Sequence, residues 1–246
     1  MRILSRKDVV NYSRYWPDIF SLEKKKLEKA LADNQVAIHH VGSTAVPDLA
    51  AKSQIDIIIV TYNQKLAAKQ IEQLGYESKG ELNIPFREYA RKDNFNIHIL
   101  PENHPDIEML LLFRDYLRDH EEARIAYEKL KKQLSDNPEN HYKNAQGFTE
   151  YTLGKNKFVR DILEKAGFKR YSLKFCLHHT EWDAYRKLSG DSQEIDTLAN
   201  YFVYYKGNEI IAAAKVKGRN LEIIQGKELS EMQHLIEKWL VYKAQN

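Results

Sequence analysis

The sequence predicts an α+β fold: a mixed sheet flanked by helices, followed by a small, partial α/β segment. Three observations lead to it. Apolar stripes at helical spacing alternate with short apolar runs of strand length over the first two thirds of the chain. The pair Gly42-Ser43 closes one of these runs, and a lone carboxylate, Asp56, interrupts the next. Beyond residue 167 the texture changes to short strands joined by hairpin turns and closed by one helix.

The elements follow in order. Residues 14–32 have the spacing of an amphipathic helix whose lysines face water. Residues 36–41 and 54–61 read as strands. Residues 64–74 read as a helix ended by Gly75. Two short strands are expected at 85–90 and 94–100, separated by "RKDN". Residues 105–134 are helical in pattern, with a break near Asp119 and His120. The polar stretch "SDNPEN" at 135–140 has turn chemistry. A helix is expected over 147–166, stopping before Gly167. Strands are then expected at 171–177, 201–206, 209–216 and 221–225, with "KGNE" and "KGRN" as hairpin turns. His178 and His179 are read as the start of a loop. Residues 229–243 form the closing helix. A boundary near Gly167–Arg170 divides the chain into domains 1–168 and 169–246.

The bulk numbers narrow the function classes. The chain has 246 residues, 43% hydrophobic and 30% charged, an ordinary globular composition. No uninterrupted apolar run exceeds five residues, too short for a membrane-spanning helix, and the first residues lack the apolar stretch of a signal peptide. A single cysteine, Cys176, excludes an internal disulfide and a cysteine-built zinc site. A cytoplasmic location is the expectation. The net charge of +3 is too small to point to nucleic acid, and the fifteen tyrosines do not cluster like a base-stacking sheet.

Chemistry concentrates around Gly42 and Asp56. Gly42 permits backbone angles denied to other residues and close approach of a ligand. Ser43 and Thr44 lead into a short turn primed by Pro47, whose N–H groups favour phosphate; a serine-capped tight turn is the plainer reading. Strand alternation puts Asp56 on one face with Ile58 and Val60. A carboxylate there requires a metal, a cation or a cleft. Gly-Ser, twelve intervening residues and a strand aspartate together make a nucleotidyltransferase signature. In that fold the serine turn holds the triphosphate and the strand carboxylates hold Mg²⁺. The second carboxylate usual there, two residues on, is replaced here by Ile58.

With their flanks, "HVGSTAVPDLAAKSQIDI", "FNIHIL", "FRDYLRDHEEARIAYEKLK" and "YTLGKNKFV" resemble the GrpB (UPF0157) family over residues 1 to about 168. The resemblance implies the nucleotidyltransferase fold, a mixed sheet with a phosphate pocket. Some members are fused to dephospho-CoA kinase. The family pattern falls on Gly42, Ser43, Lys52, Asp56, His98, Arg114 and Lys155. Two positions depart from it: Asp48 stands where a glycine is usual, and Asn96 stands where a His-x-His strand carries its first histidine.

Two cations stand out without family knowledge. Arg114 lies on the stripe of Ile107, Leu110, Leu111 and Leu117, and Lys155 lies on that of Phe148, Tyr151, Phe158, Val159 and Ile162. An inward cation needs an anion: a bound phosphate, or Asp56. The alternative is an internal ion pair or a side chain that reaches the surface. His98 reads either as a hydrogen-bonded strand residue or as a general base. His39 and His40 are read as structural.

Residues 171–246 resemble part of a GNAT acetyltransferase. The central hairpin "YFVYYKGNEIIAAAKVKGRNLEII" and the helix "LIEKWL" match, but the connection "QGKELS" lacks the acetyl-CoA loop. No acetyl-CoA is expected there, and the open sheet edge of a half domain makes a homodimer an expectation. Three function classes stand. One is an Mg²⁺- or Mn²⁺-dependent nucleotidyl or phosphoryl transferase. Ser43, Arg114 and Lys155 would sit on phosphate, Asp56 on the metal, and His98 would accept a proton. The second is a non-catalytic nucleotide or CoA-type binding module using the same pocket. The third is a structural protein in which Asp56 is paired internally.

Overall fold

The computed structural model describes residues 8–32, 34, 36–82, 84–143, 148–191 and 193–244. The chain divides into two compact units, Met1–Leu82 with Arg87–Gly167, and Asn83–Phe86 with Phe168–Asn246.

The first unit runs β1 (Val9–Val10), α1 (Trp16–Ala30), β2 (Ala37–Val41), a 3₁₀ turn (Ser43–Ala45), β3 (Ala51–Lys52), β4 (Ile55–Val60), α2 (Gln64–Glu72), β5 (Glu77–Ser78), β6 (Glu88–Lys92), β7 (Phe95–Leu100), α3 (Pro105–Asp119), α4 (Glu121–Asp136), a 3₁₀ turn (Pro138–His141), α5 (Glu150–Leu153) and α6 (Asn156–Lys165). Local chemistry sets several helix starts. The Asn63 side chain accepts the N–H of Leu66 to open α2, and His104 Nδ1 accepts that of Asp106 to open α3 behind Pro105.

The main sheet has the order β2-β4-β7-β6-β5. Only β4 and β7 are parallel; the other neighbours are antiparallel, so the sheet is mixed. One face carries Ile38, Ile57, Ile59, Ile97 and Ile99 against Leu27 of α1, Leu31 at its end and Ile71 of α2. On the other face Val41, Ile58 and Leu100 pack on Ile107, Leu110 and Leu111 of α3. The register on this second face decides the chemistry. Val41, Asp56, Asn96, Arg91 and Glu77 pair in one cross-strand row, and His39, Ile58, His98 and Tyr89 pair in the next.

Two expectations need correction in this unit. The strand expected at 85–90 begins at Glu88 and runs to Lys92. Its hairpin turns within Asp93-Asn94, with Asp93 at φ 46°, and this leaves Arg91 and Lys92 in the ladder rather than in the turn. The helix expected over 147–166 is two helices, broken at Gly154-Lys155; its first expected residue, 147, lies outside the described residues. Gly154 packs against the end of Leu134 and the carbonyl of Glu150, where a Cβ would lie at 2.9 and 3.0 Å. The short pairs β1–β3 and β5–β6 have too few residues to show alternation in the sequence.

The second unit runs β8 (Tyr171–Phe175), α7 (His179–Ser189), β9 (Ala199–Lys206), β10 (Glu209–Lys217), β11 (Asn220–Gly226) and α8 (Leu229–Ala244). Its four strands form an antiparallel sheet in the order β11-β10-β9-β8. Met232, Ile236 and Trp239 of α8 pack with Leu173, Phe202 and Tyr204. Tyr185 and Trp182 of α7 pack with Tyr201, Val203 and Tyr205. The stretch after His178, expected as a loop, is α7. His178 caps it, and Glu181 accepts the N–H of His178 to complete a capping box.

Candidate functional site

Asp56 stands in the middle of β4 on the face that looks toward α3 and α4, partly exposed among buried isoleucines. A relay fixes its carboxylate. The Tyr89 hydroxyl donates to Asn96 Oδ1 at 2.9 Å, which turns the Asn96 amide so that Nδ2 donates to Asp56 Oδ1 at 2.8 Å. The other oxygen, Oδ2, rests against Gly42. Gly42 has φ 72°, and a Cβ there would meet Asp56 Oδ2 well inside van der Waals range. Gly42 is therefore required twice, for its backbone angle and for the room it leaves the carboxylate. Burial raises the Asp56 carboxyl above the usual range, while the Asn96 hydrogen bond and the charges of Lys155 and Arg91 pull it down.

Lys155 sits in the break between α5 and α6, with its ammonium 4.6 Å from the ring centre of Tyr151. Burial lowers its amine to about 8 and the Asp56 charge opposes that shift. Lys52, from β3, places its ammonium 3.3 Å from the centre of the same ring. Arg91, from β6, adjoins Asn96 in the ladder, and its Nε is buried with no hydrogen-bond partner among the described residues. Ser43 follows Gly42 and is hydrogen-bonded to the Tyr127 hydroxyl. Lys131, on α4, is buried; its ammonium donates to the Ala50 carbonyl and lies 4.9 Å from the Tyr127 ring centre. Burial and the nearby charge of Lys155 lower the Lys131 amine to about 7. Arg91 and Lys155 thus act on one carboxylate, and Lys52 shares the Tyr151 ring with Lys155.

Of the residues expected at the site, the fold brings together Gly42, Ser43, Lys52, Asp56 and Lys155. Arg114 is engaged elsewhere. Its Nε and Nη2 donate to the two carboxylate oxygens of Asp115 at 2.7 and 2.9 Å, and its Nη1 donates to the His40 carbonyl at 2.9 Å. This clamp ties α3 to β2 and holds the Asp115 carboxyl below the usual range. Arg118 adds two bonds to the Ala45 carbonyl, fixing the turn after Gly42.

His98 lies one row along the sheet from Asp56, edge-on to the Tyr89 ring. Its Nδ1 accepts from Arg87 Nη1 at 3.1 Å, and burial with the Arg87 charge lowers the imidazole to about 3. His98 is a neutral ring, with its proton on Nε2. His40 is also neutral: it stacks on Phe20 and its Nε2 donates to Thr44 Oγ1, which in turn donates to the Gln54 carbonyl.

The donor set around Asp56 is poor for a divalent cation. Mg²⁺ wants several oxygen ligands in near-octahedral array. Here the strand offers one carboxylate, already bonded to an amide N–H. The next position on the same face is Ile58, fully buried among apolar side chains. No group of three His, Cys, Asp or Glu side chains able to hold a metal occurs among the described residues. The residues present do not fit a metal held by protein ligands alone. Among the described residues no helix is long and apolar enough to cross a membrane.

Arg91, Tyr127, Tyr151 and Lys131 were not singled out from the sequence. Arg91 belongs to the stretch "RKDN", which reads as a turn. For Lys131 a signal existed: it lies four residues after Tyr127, next to the buried stripe of α4.

The description "GrpB protein" belongs to the family model that matches residues 7–165. The UPF0157 protein YqkA of Bacillus subtilis is 33% identical over 166 residues, which cover 65% of this chain and 47% of that protein, so the chain spans about half the length of that relative. The crystal structure of the conserved protein GrpB from Enterococcus faecalis is similar with a TM-score of 0.57 and 31% identity, covering 65% of this chain and 96% of that one. A likeness to the GLD-2/RNP-8 complex, at TM-score 0.37 and 14% identity, is too slight to bear on this chain.

Proposed function

The chain belongs to the GrpB family, and on that premise we propose that its first unit is a nucleotidyltransferase-like binding unit whose cleft takes a small molecule bearing phosphate, of nucleotide or CoA type. The observation that supports this most is the convergence of Lys155 and Arg91, from a helix break and a sheet strand, on the single carboxylate of Asp56. Arg91 has a buried donor that nothing in the described protein satisfies. Such a donor is costly unless a ligand oxygen meets it. Ser43 follows Gly42, which lies against the carboxylate, and Lys52 shares the Tyr151 ring with Lys155.

A second reading, a nucleotidyl or phosphoryl transferase with Asp56 on Mg²⁺ or Mn²⁺, is favoured by the Gly-Ser turn lying directly against the strand carboxylate. For the second unit we propose a partial acetyltransferase-like segment without acetyl-CoA activity. In support, only Lys227 and Glu228 separate β11 from α8, too short a loop to cradle a pyrophosphate.

A thermal-shift series tests the reading of the cleft. The ligands are nucleoside triphosphates, dephospho-CoA and CoA, each with and without Mg²⁺ or Mn²⁺. A phosphate-bearing ligand should raise the melting temperature of the wild type and not of Lys155→Ala. No shift at saturating ligand, with or without metal, overturns it.

A further inference from the structure

We propose that the site around Asp56 binds a phosphate group without a divalent cation, with Lys155 and Arg91 in the electrostatic role a metal would fill. This rests on the reading of the cleft as a phosphate site and goes beyond it. Three features of the geometry lead here.

First, Asp56 is poorly disposed as a ligand. Oδ1 is taken by Asn96 Nδ2 and Oδ2 is wedged against Gly42. The neighbouring positions that a bridging metal would use are Ile58, apolar and buried, and His98, whose Nδ1 is held by Arg87. Second, the field around Asp56 is already cationic. Lys155 and Arg91 both act on its carboxylate, and Lys131 acts on Lys155. A divalent cation placed among them would be repelled. Third, the cations there favour an anion. Lys155 and Arg91 both act on the one carboxylate of Asp56, a surplus of positive charge that a phosphate group matches. Lys131 is committed to the Ala50 carbonyl and stands behind this set. Asp56 is then a positioning residue: it draws Lys155 and Arg91 to one place, and it repels the anion they receive.

That last point gives the reading a test of opposite sign to a metal site. If Asp56 ligates a metal that bridges to phosphate, Asp56→Asn abolishes binding. If Asp56 only gathers the cations, Asp56→Asn removes a like charge and tightens binding.

The experiment is isothermal titration of the full chain with inorganic phosphate and with pyrophosphate, in metal-stripped buffer and in excess Mg²⁺. Binding in metal-stripped buffer should be at least as tight as in Mg²⁺. Asp56→Asn should tighten phosphate by roughly three- to tenfold, and Lys155→Met should weaken it by at least about tenfold. Binding to the wild type that appears only with Mg²⁺, or is lost in Asp56→Asn with the fold retained by circular dichroism, overturns the metal-free reading and leaves the phosphate site standing. Absence of binding to the wild type in both buffers overturns both. The comparison of buffers needs no variant, so it holds even where a substitution unfolds the chain.

Discussion

At the scale of single residues, the site is built on conformations that few side chains tolerate. Gly42 combines φ 72° with contact to Asp56 Oδ2. Any Cβ at this position adds left-handed strain of about 1–2 kcal/mol and displaces the carboxylate. Gly42→Ala should therefore lower stability by about 2 kcal/mol or more in urea unfolding, and should lose phosphate binding with it. An unchanged unfolding midpoint would show that Asp56 moves aside freely. Asp48, where the family usually has glycine, has φ 58°, so the turn keeps the glycine conformation with an exposed aspartate in its place. The histidines act through their neutrality. His98 titrates at about 3 and His40 at about 4 in the fold, against about 6.5 when unfolded. Below that value the unfolded chain takes up protons that the folded chain refuses. Their contribution is complete above pH 6.5 and lost as the pH falls toward 4 and then 3, by at most about 3 kcal/mol for His40 and about 5 kcal/mol for His98. The charges facing His98 are Arg87 and Asp106, and those facing His40 are Arg114 and Arg118. Urea midpoints at pH 7 and pH 4.5 should fall further apart in the wild type than in His98→Gln. An equal fall in both would remove His98 as a cause of acid sensitivity.

At the scale of elements, each functional side chain depends on where a strand or helix starts and stops. Long periodic segments were legible: β2, β4, β7 and the helices α1 and α3–α4, with their break at His120, follow from apolar spacing. The same spacing put Gly42 and Ser43 just after one strand and Asp56 within the next. What was not legible turned on a residue or two. The sequence "RKDN" reads as a four-residue turn, but the hairpin needs only Asp93 and Asn94. Arg91 therefore falls on the ladder beside Asn96 instead of outside it. Lys155 lies on an apolar stripe, which says that it points inward but not that the helix stops there. The stop depends on Leu134 lying over Gly154, a contact from α4 that local pattern does not contain. Arg114 shares the stripe property with Lys155, and only the fold separates them, by giving Arg114 the adjacent carboxylate of Asp115. The break is testable. Gly154→Ala raises helix propensity by about 1 kcal/mol, but its Cβ meets Leu134 and the Glu150 carbonyl. The packing should win, with a net loss of about 1–2 kcal/mol by urea unfolding and weaker phosphate binding as Lys155 shifts. A gain in stability would mean that α5 and α6 join without cost.

At the scale of the whole molecule, the two units have separate cores and separate reporters. Trp16 is buried in the first unit's core among α1 and the sheet, while Trp182 and Trp239 belong to the second unit. A chain with Trp182 and Trp239 both replaced by phenylalanine therefore reports the first unit through Trp16 alone. A ligand that binds only the folded cleft stabilises that unit by RT ln(1 + [L]/Kd), about 2.7 kcal/mol when the ligand is at a hundred times Kd. Phosphate at that level should shift the Trp16 unfolding curve by this amount. The shift should also depend on pH in one direction. Lys155, at about 8, carries its charge below that value and loses it above, with Asp56, Lys131 and the ring of Tyr151 as its neighbours. Bound phosphate favours the charged amine, so the stabilisation should be largest near pH 7 and should shrink by pH 9.5. In Lys155→Ala the shift should be small at both ends of that interval. A shift in the wild type that does not shrink by pH 9.5 would mean that Lys155 is not the group that receives the phosphate.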